Sequence, residues 1–137
     1  MIVADTNLIS YLLIDGEQTE SARKVWNRDP DWAMPLLWRS EFLNVLVVAR
    51  RAGALDRQQV VETWRRSTLF MNATELEPDG GKVLDIALDR GVSAYDAQFV
   101  AVATELKVPL VTADKRILAR CDDIAVSIKD FAEDRAT

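Results

Sequence analysis

Four carboxylates stand out by position in a chain that contains no histidine. Asp5 follows the apolar run Ile2-Val3-Ala4, and Glu41 opens the apolar stretch 42–49. Asp96 begins "DAQFVAVATEL", and Asp114 follows "VPLVTA". Singly, each has a structural use. Ser93-x-x-Asp96 resembles a capping box, Asp114 suits an N-cap, Asp5 or Thr6 suits the cap of a first helix, and Glu41 suits a helix dipole. Gathered in one place, they would repel one another and disfavour their ionised forms. Helix N-termini offset only fractions of a charge, so a hard divalent cation, Mg²⁺ or Mn²⁺, is the natural counter-ion for carboxylate oxygens. Such a site lowers the pKa of a bound water and stabilises charge on a reacting phosphodiester, with no need for imidazole.

Whether the four acids meet depends on the elements that carry them. Strands are expected at 2–5, 31–37 (with Pro35 near an end or edge), 67–76, 108–114 and 124–128. Helical patterns occupy 7–14, 17–28, 38–52, 57–66, 79–90, 95–106 and 115–120. Asp56-x-x-Gln59 marks a helix start behind Gly53, and Pro78-Asp79 opens a helix that Gly91 closes. Alternation of strand and helix predicts an α/β domain with a mainly parallel sheet. In such a sheet the crossover helices run back against the strands, so strand C-termini and helix starts share one rim. Asp5, Glu41, Asp96 and Asp114 then converge although they span 110 residues of sequence.

Composition narrows the chemistry further. A length of 137 residues, 49% hydrophobic and 28% charged, predicts one globular domain over 1–137, with 132–137 as a frayed tail. The net charge of −5 and a pI near 4.8 argue against a broad basic face, so a nucleic-acid partner would meet a local basic strip or metal ions. Absence of histidine excludes Ser–His and Cys–His catalysis and HExxH zinc chemistry. The single Cys121 has no internal disulfide partner and reads as a small apolar residue. The N-terminal stretch lacks a basic region and carries Asp5, and no run of about 18 apolar residues occurs, so a cytoplasmic protein with no membrane segment is expected.

Read together, "VADTNLIS", "SEFLNVL", "SAYDAQFVAVATEL" and "LVTADKRI" resemble the motif blocks of PIN-domain ribonucleases, and most closely the VapC-type toxins of toxin–antitoxin pairs. The resemblance runs through nearly the whole chain in the right order. It implies a three-layer α/β/α fold with a five-stranded sheet of order 3-2-1-4-5, which puts Asp5 and Asp114 at the topological switch point. It also implies that Asp5, Glu41, Asp96 and Asp114 form an acidic quartet around Mg²⁺ or Mn²⁺. Thr6, Asn7 and Thr112 take supporting positions. Glu41 either binds metal or orients water. The implied reaction is endonucleolytic hydrolysis of RNA by a metal-activated water, leaving 5′-phosphate and 3′-hydroxyl ends. A cognate antitoxin protein and a homodimer are the implied partners.

Other features are less distinctive. Arg39, Lys115 and Arg116 adjoin the expected rim and are positioned to contact RNA phosphates or solvent. Arg50-Arg51 and Arg65-Arg66 suit helix C-terminal dipoles. "FLNVLVVA" (42–49) is apolar almost all round, predicting one face in the domain and another for a partner. Trp26, Trp32, Trp38 and Trp64 read as core or interface anchors, with Trp38 close enough to Glu41 to stack on a base. A HAD-type phosphatase would need Asp-x-Asp where the chain has Asp5-Thr6-Asn7. A phospho-receiver would need an acidic pair after the first strand and an aspartate after the third. The remaining rival is a non-catalytic PIN-like module that binds RNA or protein.

Overall fold

Short, mostly apolar runs build the centre of the molecule. In the computed structural model, described for residues 1–70 and 73–133, five short strands carry it: β1 (Ile2–Ala4), β2 (Trp32–Pro35), β3 (Thr74–Leu76), β4 (Leu110–Thr112) and β5 (Ala125–Ser127). All neighbouring pairs are parallel, in the order β3-β2-β1-β4-β5. Every residue of β1, β2 and β4 is buried, as expected for strands covered on both faces.

Among the described residues, eight helices surround the strands: α1 (Thr6–Leu13), α2 (Thr19–Arg28), α3 (Trp38–Arg51), α4 (Arg57–Phe70), α5 (Gly80–Arg90), α6 (Ala94–Leu106), α7 (Lys115–Arg120) and α8 (Ile128–Glu133). Helix α6 lies against β1, β2 and β4 and is flanked by α5, while α1 and α8 pack on β4 and α2 covers both of these helices. The resulting architecture is α/β/α. Helix α3 turns back into α4 through Gly53, whose φ of 79° suits glycine, and Gly91 closes α5 in the same left-handed conformation. Asp56 and Gln59 cap α4 reciprocally, each side chain accepting the other's N–H at 2.8 Å.

Two expectations need correction. The strand expected over 67–76 is confined to Thr74–Leu76, because α4 continues to Phe70; Met71 and Asn72 lie outside the described residues. Ser67 and Thr68 satisfy their hydroxyls on the helix itself, donating to the carbonyls of Trp64 and Arg65. The expected frayed tail begins too early. Residues 128–133 form α8, which packs on α2, where Arg28 donates to the Phe131 carbonyl and lies over its ring; residues 134–137 are outside the described residues. No described helix is long and apolar enough to cross a membrane.

Candidate active site

Strand register brings the first acid to its partner. Ala4 lies level with Val111, so Asp5 and Thr112 emerge side by side, and the Asp5 N–H donates to the Val111 carbonyl at 3.1 Å. The Thr112 hydroxyl donates to Asp5 Oδ2 at 2.6 Å and accepts the Asp114 N–H at 2.9 Å. Asn7 adds a brace: its Nδ2 reaches Asp5 Oδ2 at 3.3 Å and Thr112 Oγ1 at 3.4 Å, and its Oδ1 accepts the Ala113 N–H. One hydroxyl and one amide thus tie the ends of β1 and β4 together.

The other acids arrive on helix starts. Asp114 caps α7, with Oδ1 accepting the N–H groups of Arg116 and Ile117. Asp96 lies in the first turn of α6, whose cap is Ser93. Glu41 lies in the first turn of α3 and accepts the Thr6 hydroxyl at 2.7 Å. Asp5 caps α1 through Oδ1 and the Thr6 N–H. For Asp5 and Asp114, capping and convergence therefore coexist.

All four carboxylates, with Thr6 and Asn7, line one open cavity of about 500 Å³. No lysine or arginine is among its lining residues. Burial pushes the Asp5 carboxyl from 3.8 up to about 6, against the hydrogen bonds from Thr112 and Thr6 and with added repulsion from Glu41 and Asp96. Glu41 is raised by burial, opposed by the Thr6 hydroxyl and reinforced by Asp96. Asp96 is raised by burial and then by Asp114, with Ser93 and Arg116 opposing. The acids thus feel one another across the cavity. Among the described residues, no three such side chains are drawn close enough to hold a metal ion as they stand. The donor chemistry nevertheless fits a hard divalent ion: oxygen only, clustered negative charge, and no cationic side chain in the wall.

The structure separates the three cations expected nearby. Lys115 and Arg116 are exposed on the first turn of α7, next to Asp114, and Arg116 is near enough to influence Asp96. Arg39 is engaged elsewhere, in a bidentate pair with Glu75 of β3 at 2.6 and 2.8 Å, and does not line the cavity. Trp38 is buried and donates its indole N–H to Glu75, packing near Phe42 and Trp64. It is a core residue; a base has no access to its face. On α3, Phe42 and Leu46 enter the core while Leu43, Val47 and Val48 stay exposed, so the all-round apolar helix has one unburied side.

Four lining residues were absent from the sequence reading: Ser10, Tyr11, Asn44 and Val45. Helical spacing carried the signal. Ser10 and Tyr11 follow Asn7 by three and four residues, and Asn44 and Val45 follow Glu41 by the same steps. Cavity size alone is no guide, since a void of similar volume between α5 and α6, near Arg90 and Lys107, lacks any such cluster.

Comparison with known proteins agrees with this geometry. The PIN domain family matches residues 2–123. Ribonuclease VapC9 from Mycobacterium tuberculosis (strain ATCC 25618 / H37Rv) is 33% identical over 123 residues, covering 85% of this chain and 88% of that protein. VapC ribonuclease Mb0985 from Mycobacterium bovis is similar to the same extent. Among solved structures, PAE2754 from Pyrobaculum aerophilum superimposes with a TM-score of 0.76 at 22% identity, over 97% of this chain and 87% of that one. The Mycobacterium tuberculosis toxin VapC20, described as cleaving the sarcin-ricin loop, gives 0.65 at 16% identity, over 87% of this chain and 94% of that one. These two structures share the fold.

Proposed function

Because this chain belongs to the PIN-domain family, we propose that it is a Mg²⁺- or Mn²⁺-dependent endoribonuclease acting as the toxin of a toxin–antitoxin pair. One observation carries the chemistry: four carboxylates from distant parts of the sequence line a single cavity whose wall has no cation. The ribonuclease activity rests on the similarity to proteins named VapC ribonuclease.

Asp5, Asp96 and Asp114 would hold the divalent ion, with Glu41 either a further donor or the group that orients the attacking water. When bound, the ion supplies Lewis acidity toward the phosphodiester and its water nucleophile. The protein's own residues supply orientation. Thr112 and Asn7 fix one Asp5 oxygen, and the Thr6 N–H fixes the other. The Thr6 hydroxyl holds Glu41, leaving its second oxygen to accept a proton. Lys115 and Arg116, exposed next to Asp114, would meet RNA phosphates, whereas Arg39 must first leave Glu75 to do so. Attack by water with the ribose 3′-oxygen as the leaving group gives 5′-phosphate and 3′-hydroxyl products.

A cognate antitoxin is the inhibitor this reading requires. Exposed Leu43 and Val47 of α3, one turn apart, suit burial in a homodimer. The test is cleavage of total RNA by antitoxin-free protein, wild type beside Asp5→Asn, with Mg²⁺, Mn²⁺ or EDTA. The expected outcome is discrete cuts with 5′-phosphates, lost in EDTA and in the variant. Growth inhibition equal in wild type and folded Asp5→Asn would point instead to a non-catalytic module that binds RNA or protein.

A further inference from the structure

The carboxylate cavity does not end at its acids. Ser10, Tyr11 and Val45 are also walls of a second cavity of about 370 Å³, between α1, the start of α2 and the middle of α3. Its character is different. The neighbouring walls are Ile14, Val48 and Ala49, and the surface is almost wholly apolar. Tyr11, half-buried, stands at the junction. The rim carries exposed Asp15 and Glu17, and Asp15 pairs at 3.9 Å with Arg23 of α2.

We propose that this second cavity is a nucleobase subsite, in which the base of a nucleotide flanking the scissile phosphate packs between Tyr11 and the Val45–Val48 face of α3. The inference rests on the endonuclease reading of the adjoining carboxylates. A polynucleotide with one phosphate among those carboxylates can send its next nucleotide across the shared wall of Ser10, Tyr11 and Val45. The cavity's walls are almost wholly apolar and include no lysine or arginine, so the uncharged base, and not another phosphate, is the part that enters. An aromatic ring at the junction and aliphatic side chains opposite offer two faces to a planar base, the usual means of gripping unpaired RNA. Volume and lining shape also admit the base without hydrogen-bond readout of every edge, so the subsite selects mainly by stacking and size. Specificity at that nucleotide is then set by Tyr11, Val45 and Val48, outside the acidic quartet.

The experiment uses Asp5→Asn protein, which retains the subsite but lacks one carboxylate, and a randomised single-stranded RNA pool; the bound fraction is sequenced in the Tyr11, Tyr11→Phe, Tyr11→Ala and Val48→Trp backgrounds. Val48 is exposed, so the tryptophan fills the cavity without entering the core. Base preference at one position is expected with Tyr11 and Tyr11→Phe and is expected to vanish in the other two. An abasic nucleotide there should weaken binding roughly five- to hundredfold for Tyr11 and hardly at all for Tyr11→Ala, the scale of one base–aromatic stack. Preference unchanged by both Tyr11→Ala and Val48→Trp overturns the subsite. So does a loss confined to binding of the antitoxin, which would make the cavity a peptide site. If wild-type protein with Mg²⁺ or Mn²⁺ fails to cut RNAs that Asp5→Asn selects through Tyr11, the nuclease reading falls while the base-binding cavity stands.

Discussion

Asp5 is both a helix cap and a member of the proposed site, and the two sit at opposed energies. It caps α1 with one oxygen and accepts Thr112 and Asn7 with the other, yet burial lifts its carboxyl to about 6. A folded pKa above the unfolded value of 3.8 means that the native state prefers the protonated acid. Its stabilising effect is therefore full below pH 3.8, declines as pH rises, and is lost above about pH 6. The difference amounts to about 3 kcal/mol against the metal-free protein at neutral pH. Burial also raises Glu41 and Asp96, which act in the same direction. Urea unfolding in EDTA should find Asp5→Asn more stable than wild type at pH 7.5 by about 1 to 3 kcal/mol, and nearly equal to it at pH 3.5. A variant equal or weaker at pH 7.5 would mean that hydrogen bonds outweigh the burial cost.

At the scale of elements, α3 must start in the right place for Glu41 to reach Thr6, and no side chain caps its N-terminus. Glu75 on edge strand β3 does the anchoring, taking the Trp38 indole and both arms of Arg39. Replacing Glu75 with Gln keeps an acceptor for the buried indole and weakens the partly exposed ion pair, at a cost of about 1 kcal/mol. Glu75→Leu strands the indole N–H and should cost about 2 to 3 kcal/mol, with a larger fall in RNA cleavage than Glu75→Gln shows. Equal melting temperatures for the two variants would remove the anchor. None of this was legible in the sequence, because the Glu75–Arg39 pairing is set by strand register between β2 and β3. What was legible had local chemistry behind it: the reciprocal Asp56–Gln59 cap, the glycine stop at Gly91, and the alternation that placed Asp5, Glu41, Asp96 and Asp114 on one rim. Ser67 and Thr68 misled because their β-branched and hydroxyl neighbourhood reads as strand until the hydroxyls bond back to the helix. The start of α8 did carry a signal, Ser127-x-x-Asp130, where the Ser127 hydroxyl accepts the Asp130 N–H.

For the molecule as a whole, the balance of charge would make the proposed metal binding and folding one problem. The chain carries a net charge of −5, and its buried Asp5 shares one cavity with Glu41, Asp96 and Asp114. Without a cation, ionising them at neutral pH works against the native state, and no three are drawn together tightly enough to serve as a ready cage. A divalent ion that binds the folded protein should therefore both draw the carboxylates inward and raise its stability by mass action, by about 2.7 kcal/mol when present at a hundred times its dissociation constant. Differential scanning calorimetry at pH 7.5 should show the transition rising with Mn²⁺ or Mg²⁺ concentration in the wild type. The rise should be largely lost in Asp5→Asn and in Asp114→Asn, and should shrink for the wild type at pH 4.5, where protons compete for the same oxygens. Monovalent salt at matched ionic strength should give much less, since it screens the repulsion without bridging the acids. Equal stabilisation of wild type and both variants by Mn²⁺ would place the ion elsewhere on this acidic surface and take the cavity out of the chemistry.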